Sequence, residues 1–109
     1  MVTENGAVFG DEPGPDGRVR DERRVRYVES HVGAVHAALA QGADVRGYCY
    51  WSLMDNFEWA LGYAQRFGLV HVDYESLART IKDSGRYYAR ITRANALVKR
   101  ATDEEAVTT

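Results

Sequence analysis

An α/β fold, made of a parallel βαβ unit followed by a hairpin and a second helix, is what this sequence predicts. Three observations carry that expectation. Val25, Val28, Val32, Val35 and Leu39 step by three and four, which places them on one stripe of an amphipathic helix. Strand-like stretches flank it, the stub Met1–Thr3 before and the Val-, Tyr- and Cys-rich run Val45–Trp51 after. Beyond these, Arg66–Tyr74 sets Phe67, Leu69, His71 and Asp73 in alternation with Gly68, Val70, Val72 and Tyr74, the period of a strand.

Taken in order, Glu4-Asn5-Gly6 is expected to turn the chain out of the stub, since Asn-Gly tolerates positive φ. From Ala7 to Gly17 lie both prolines and three of the ten glycines, the composition of a long surface loop. Asp21 stands where an N-cap belongs, and Gly42 where a left-handed residue closes a helix. Strand, helix, strand in succession requires parallel pairing and a right-handed crossover. A turn at Glu75–Ala78 and a short strand at Arg79–Ile81 make a hairpin with the preceding strand. Asp83 or Ser84 then caps a last helix whose inner side carries Tyr87, Tyr88, Ile91, Ala94 and Val98. Residues 99–109 lack an apolar period and read as a frayed tail.

Fourteen Lys plus Arg against sixteen Asp plus Glu give a net charge of −2, with 45% hydrophobic residues. Nucleic acid is therefore not an expected partner. The basic run Arg18, Arg20, Arg23, Arg24, Arg26 is interrupted by Asp21 and Glu22 and reads as a solvated helix start. One cysteine, Cys49, allows no internal disulfide, and no Cys/His spacing suits zinc; neither metal nor cofactor is expected. His31 and His36 are not spaced as ligands on one helix face. No signal peptide or membrane-spanning apolar run is evident, so the default expectation is a cytoplasmic protein without a membrane partner.

The densest chemistry lies between Gly47 and Asp73. Trp51, Glu58 and Trp59 combine two flat indoles with a bidentate acceptor, a set that suits a sugar's C–H faces and vicinal hydroxyls. Singly, each residue would read as core or as a solvated acid. Together they are harder to dismiss, because an acid between Phe57 and Trp59 is poorly placed to be buried and unpaired.

Two motifs carry a resemblance. Val2-Thr3-Glu4-Asn5-Gly6 is similar to the TENG nucleophile motif of the glycoside hydrolase family 1 β-glycosidases, the β-glucosidase family. The run WSLMDNFEWA from Trp51 to Ala60, with Gly62-Tyr63 and Arg66-Phe67-Gly68, resembles that family's sugar-binding segment. Asp73-Tyr74, Arg79-Thr80, Lys82-Asp83-Ser84 and Tyr88 extend the likeness to about Ile91. The chain departs from the pattern at Leu61, Ile81 and Tyr87, where glutamate, proline and tryptophan are usual in the family.

The resemblance implies the C-terminal portion of a (β/α)8 TIM barrel, incomplete on its own, with residues 1–98 belonging to the catalytic barrel. It implies that Glu4 is the nucleophile, that Glu58 accepts hydrogen bonds from glycone hydroxyls, and that Trp51, Trp59 and Phe67 wall the same subsite. The implied substrate is a β-glucoside or oligosaccharide, cleaved at its terminal non-reducing β-D-glucosyl residue through a covalent intermediate. The family's acid/base motif, Asn-Glu-Pro, is not in this sequence; Asp11-Glu12-Pro13 is a partial echo and is not assigned that role. A complete barrel takes about 250 residues, so the expectation is a fragment that is inactive alone. The alternatives are a non-catalytic carbohydrate-binding piece and an inert fragment.

Overall fold

The computed structural model describes residues 1–56 and 65–100. Glu58 and Trp59 of the expected sugar site, and 101–109 of the expected tail, lie outside the described residues. The elements run β1 (Val2–Asn5), α1 (Glu22–Ala40), β2 (Tyr48–Tyr50), β3 (Val70–Val72), β4 (Arg79–Ile81) and α2 (Asp83–Ala94). β1 and β2 pair in parallel across the α1 crossover, as the βαβ reading requires, and β3 and β4 form the antiparallel hairpin. Between the two sheets, Met54 bridges Val70 in parallel, so the chain leaving β2 leads on to β3.

Two expectations about β1 and β2 need correction. Glu4 and Asn5 belong to the strand instead of turning out of it, because the Asn5 carbonyl accepts from the Trp51 N–H at 2.8 Å. The second strand is shorter than Val45–Trp51 suggested and covers only Tyr48–Tyr50. Its register contains an irregularity: Val2 pairs with Tyr48 and Asn5 with Tyr50, so β1 carries one more residue than β2 over the same span. Gly6 permits the close approach that follows, since a Cβ there would lie 1.9 Å from the Trp51 carbonyl oxygen.

Helix α1 buries only the front of its stripe. Val25 and Val28 join Tyr87 and Ile91 of α2 in the core, with Val32, Tyr50, Tyr88 and Val98 packed around them, whereas Leu39 is largely exposed. The helix ends as expected. Gly42 takes φ +94, its N–H donates to the Leu39 carbonyl, and Ala43 N–H reaches back to Ala38, a Schellman closure. Asp21 occupies the N-cap position, but its side chain makes no capping bond. Lys82, not Asp83 or Ser84, precedes the first turn of α2. That helix stops at Asn95, which adopts φ +49, so Val98 returns to the core from a non-helical segment and Tyr87 donates its hydroxyl to the Val98 carbonyl. Arg100 N–H donates to Glu29 at 3.0 Å. Among the described residues, no helix is long and apolar enough to cross a membrane.

Substituting the fully buried Val28 by alanine is expected to lower the unfolding free energy by about 2 to 3 kcal/mol, through lost contacts and a residual cavity. Gly42→Ala is expected to cost about 1 kcal/mol, from forcing a Cβ into the left-handed region. Urea midpoints of the two variants against the parent chain check both.

Candidate active site at the strand ends

The two tyrosines of β2, two residues apart, fall on one face of the strand. Tyr48 and Tyr50 turn towards the helices, where they lie against Tyr88, and the Tyr48 hydroxyl donates to Asn5 Oδ1 at 2.6 Å. Asn5 thus looks to the helix side. Glu4, Cys49 and Trp51 are exposed. Trp51 keeps two-fifths of its surface accessible and joins Ser52 through a cis peptide bond.

The backbone after Glu4 is held on several sides. Tyr27 donates its hydroxyl to the Gly6 carbonyl at 3.1 Å, Tyr48 holds the Asn5 side chain, and Trp51 N–H holds the Asn5 carbonyl. Burial pushes the Tyr48 phenol well above its ordinary pKa, and that of Tyr50 up to about 12, so both remain protonated donors. Phe67 is half-buried at the same end. Its carbonyl accepts from the Tyr50 hydroxyl at 3.2 Å and from Ser52 N–H at 3.4 Å. Glu4 and Trp51 are thus both exposed next to the Asn5–Trp51 hydrogen bond, and Phe67 is tied by its backbone to the end of β2.

Behind this surface runs a feature that the sequence reading missed. Asp21, Arg24, Asp11, Lys82, Asp55 and Arg66 form a chain of alternating charge, with successive contacts of 2.7, 2.7, 2.6, 2.8 and 2.6 Å. The first five side chains are fully buried. Arg24 is therefore no part of a solvated helix start, and Asp11 lies in the interior end of a loop expected at the surface. Asp21 fails to cap α1 because its carboxylate is spent elsewhere: it accepts from Arg24 and from both the N–H and the hydroxyl of Ser84. One signal could have revealed Arg24. It lies four residues before Val28, on the apolar stripe itself. Asp11, Lys82 and Asp55 carry no such mark, since their burial arises only where three distant segments meet.

Asp55 anchors the middle. It takes Lys82 and Gly68 N–H on Oδ1 and Arg66 and Val72 N–H on Oδ2. Burial alone would raise its pKa, but the Lys82 hydrogen bond and charge, with Arg66 and Gly68, outweigh that and hold it below the usual carboxylate range. Asp21 goes the other way, because burial raises its pKa more than Ser84 and Arg24 lower it. Among the described residues, no group of His, Cys, Asp and Glu side chains could hold a metal ion.

Two parallel strands joined through a helix, with helices packed against them, are a segment of a (β/α)8 barrel; the barrel is not closed within the described residues. The comparison with known proteins agrees and is more specific. A profile described as Glycosyl hydrolase family 1 matches residues 1–97, and the chain belongs to that family. It is 48% identical to Beta-glucosidase A of Thermotoga maritima over 96 residues, covering 88% of this chain and 22% of that protein. It is 54% identical to the Bifunctional beta-D-glucosidase/beta-D-fucosidase of Bifidobacterium breve, covering 83% of this chain and 20% of that one. The solved family 1 β-glucosidase from T. maritima superimposes with a TM-score of 0.86 at 47% identity, over 89% of this chain and 22% of that structure. The same enzyme has been solved in complex with isofagomine lactam. The chain thus spans about a fifth of the length of the relatives it matches.

The opposite pKa directions predict a specific acid response. Asp55 is depressed in the folded state, so its ionised form stabilises the fold above the unfolded value of about 3.9, and that contribution is lost as pH falls through the lower folded value. Asp21 has the reverse sign, its protonation relieving a cost as pH falls below its raised value. Stability of Asp55→Asn is therefore expected to fall less steeply with pH below about 4 than that of the parent, because the Asp55 contribution is missing and Asp21 is common to both. Urea titrations across that range measure the difference. Arg24→Ala, which leaves buried carboxylates uncompensated, is expected to lose about 3 to 5 kcal/mol at neutral pH. Arg20→Ala, on an exposed pair, should leave the midpoint unchanged.

Proposed function

We propose that this chain supplies the nucleophile and the glycone-binding segment of a retaining β-glucosidase whose barrel is completed by further strand–helix units. The supporting observation is that Glu4 is exposed near the carboxyl end of β1, next to the Asn5–Trp51 hydrogen bond that brings the exposed Trp51 to the same strand end. In such a site the Glu4 carboxylate attacks the anomeric carbon of a terminal β-D-glucosyl residue. The glycosidic C–O bond breaks as the leaving oxygen takes a proton from a second carboxyl group, about 5 to 5.5 Å from the first. The glycosyl ester formed on Glu4 is then hydrolysed by water, which gives its proton back to that second group, and the anomeric configuration is retained. Glu58 accepts hydrogen bonds from the glycone hydroxyls, and Trp51, Trp59 and Phe67 enclose its apolar faces. The proton donor is the part that this sequence does not offer, having no Asn-Glu-Pro motif.

The test is a graft. The 109-residue chain is placed in the T. maritima β-glucosidase in lieu of the segment it matches, where the neighbouring strands are present. The chain alone is expected to show no hydrolysis of an aryl β-glucoside, and the graft to turn over. Glu4→Gln in the graft should lose at least about 10³-fold in kcat, as loss of a nucleophile does. Azide added to Glu4→Gly should restore glycosyl transfer with an inverted anomeric product. Hydrolysis by the isolated chain, or retained product from Glu4→Gly, would refute this assignment. Assays should include an aryl β-fucoside, given the name borne by the B. breve relative.

A further inference from the structure

The irregular register of β1 falls at Glu4. Val2 pairs with Tyr48 and Asn5 with Tyr50, so Thr3 and Glu4 together stand opposite the single residue Cys49, as in a β-bulge. Exposure agrees, since Thr3 and Glu4 are exposed in succession where regular alternation sets neighbours on opposite faces. A bulge re-aims the side chain it carries, and the aim persists only if the strand is held on both sides of it. Before the bulge, Val2 N–H donates to the Gly47 carbonyl at 2.9 Å. After it, Tyr48 donates its hydroxyl to Asn5 Oδ1 at 2.6 Å, Trp51 N–H donates to the Asn5 carbonyl at 2.8 Å, and Tyr27 donates its hydroxyl to the Gly6 carbonyl at 3.1 Å. The Tyr48 bond differs from the rest in its reach. Its backbone is the partner of Val2 and its side chain holds Asn5, so one residue grips β1 on either side of Thr3 and Glu4. Tyr48 is itself held, lying against Tyr88, whose hydroxyl donates to the Tyr48 carbonyl at 3.4 Å.

We propose that Tyr48, acting through Asn5, is a brace across the bulge and a positioning residue for the Glu4 nucleophile, fixing the direction in which that carboxylate leaves β1. The inference deepens the reading of Glu4 as nucleophile and rests on it. The Tyr48 hydroxyl is spent on Asn5, so it acts by holding the strand and not by contact with a substrate. Attack on an anomeric carbon requires such support, because a misplacement of about 1 Å in the reacting group can cost about two orders of magnitude in rate. A hydrogen bond is better suited to the task than apolar packing, since it is angular and dispersion contacts are not. Burial keeps the phenol protonated, so the donor persists into alkaline solution.

The test uses the graft, an aryl β-glucoside, isofagomine lactam as a binding probe, and a fluorosugar inactivator that leaves its glycosyl ester on the nucleophile. Tyr48→Phe, which deletes only the hydroxyl, is expected to lower kcat and the rate of covalent labelling by about tenfold or more, with KM and lactam affinity changed less than about twofold. Asn5→Ala should do the same, and is the informative variant should Tyr48→Phe fail to fold. The double variant should be no slower than the slower single one, since both changes remove one bond. Tyr87→Phe, which deletes a hydroxyl bonded to the remote Val98 carbonyl, should label at the parent rate whatever its melting temperature. Parent-like labelling by folded Tyr48→Phe, multiplied losses in the double variant, or an equal loss in Tyr87→Phe would each overturn the brace. Peptide mapping of the label keeps the two readings apart. Label on Glu4 with an unchanged rate in Tyr48→Phe sinks the brace alone, whereas label on another residue removes Glu4 as nucleophile and this inference with it.

Discussion

Six charges in a row, three negative and three positive, constrain this structure more than any apolar contact does. Asp21 and Arg24 belong to the start of α1, Asp11 to the loop after β1, Lys82 to the entry of α2, Asp55 to the chain leaving β2, and Arg66 to the approach to β3. Each interior member touches an opposite charge on both sides. Ions without water must be paired, and a chain that alternates pairs every member with no residual charge. Such a chain contributes little net stability compared with an apolar replacement, but any one member removed leaves its neighbours uncompensated. Its value lies in specificity of arrangement: five segments distant in sequence can meet there in one geometry only.

The apolar core is small by comparison and lies between the same two helices. Val25, Val28, Tyr87 and Ile91 lock α1 to α2, and Tyr50 joins them to the strands. Exposed and packed side chains are thus separated along the strands. Tyr48 and Tyr50 pack and donate on the helix face while Glu4 and Trp51 are exposed. A slip of one residue in either strand would exchange the two sets, which gives the irregular register between Val2 and Asn5 its importance.

The same logic explains why tyrosines surround Asn5 and Gly6. A strand end has unsatisfied backbone and side-chain polar atoms, and water would leave them mobile. Hydroxyls of Tyr27 and Tyr48, kept protonated in the case of Tyr48 by burial, satisfy those atoms from the helix side. Helix and strand end are thereby one mechanical unit.

Local pattern was enough to determine α1, with its glycine closure, the parallel pairing of the strands around it, the hairpin at 70–81 and the helix that follows, because helix and strand periods are written in neighbouring residues. Motif spacing alone placed the chain in its family. Strand lengths, the stop of α2 at Asn95 and the role of Asp21 were decided by tertiary structure, since each depends on a partner remote in sequence. So was the burial of Asp11, Lys82 and Asp55. A lone acid or lysine in a loop carries no sign of what will face it, and only folding, by removing water from all of them at once, makes their mutual pairing obligatory.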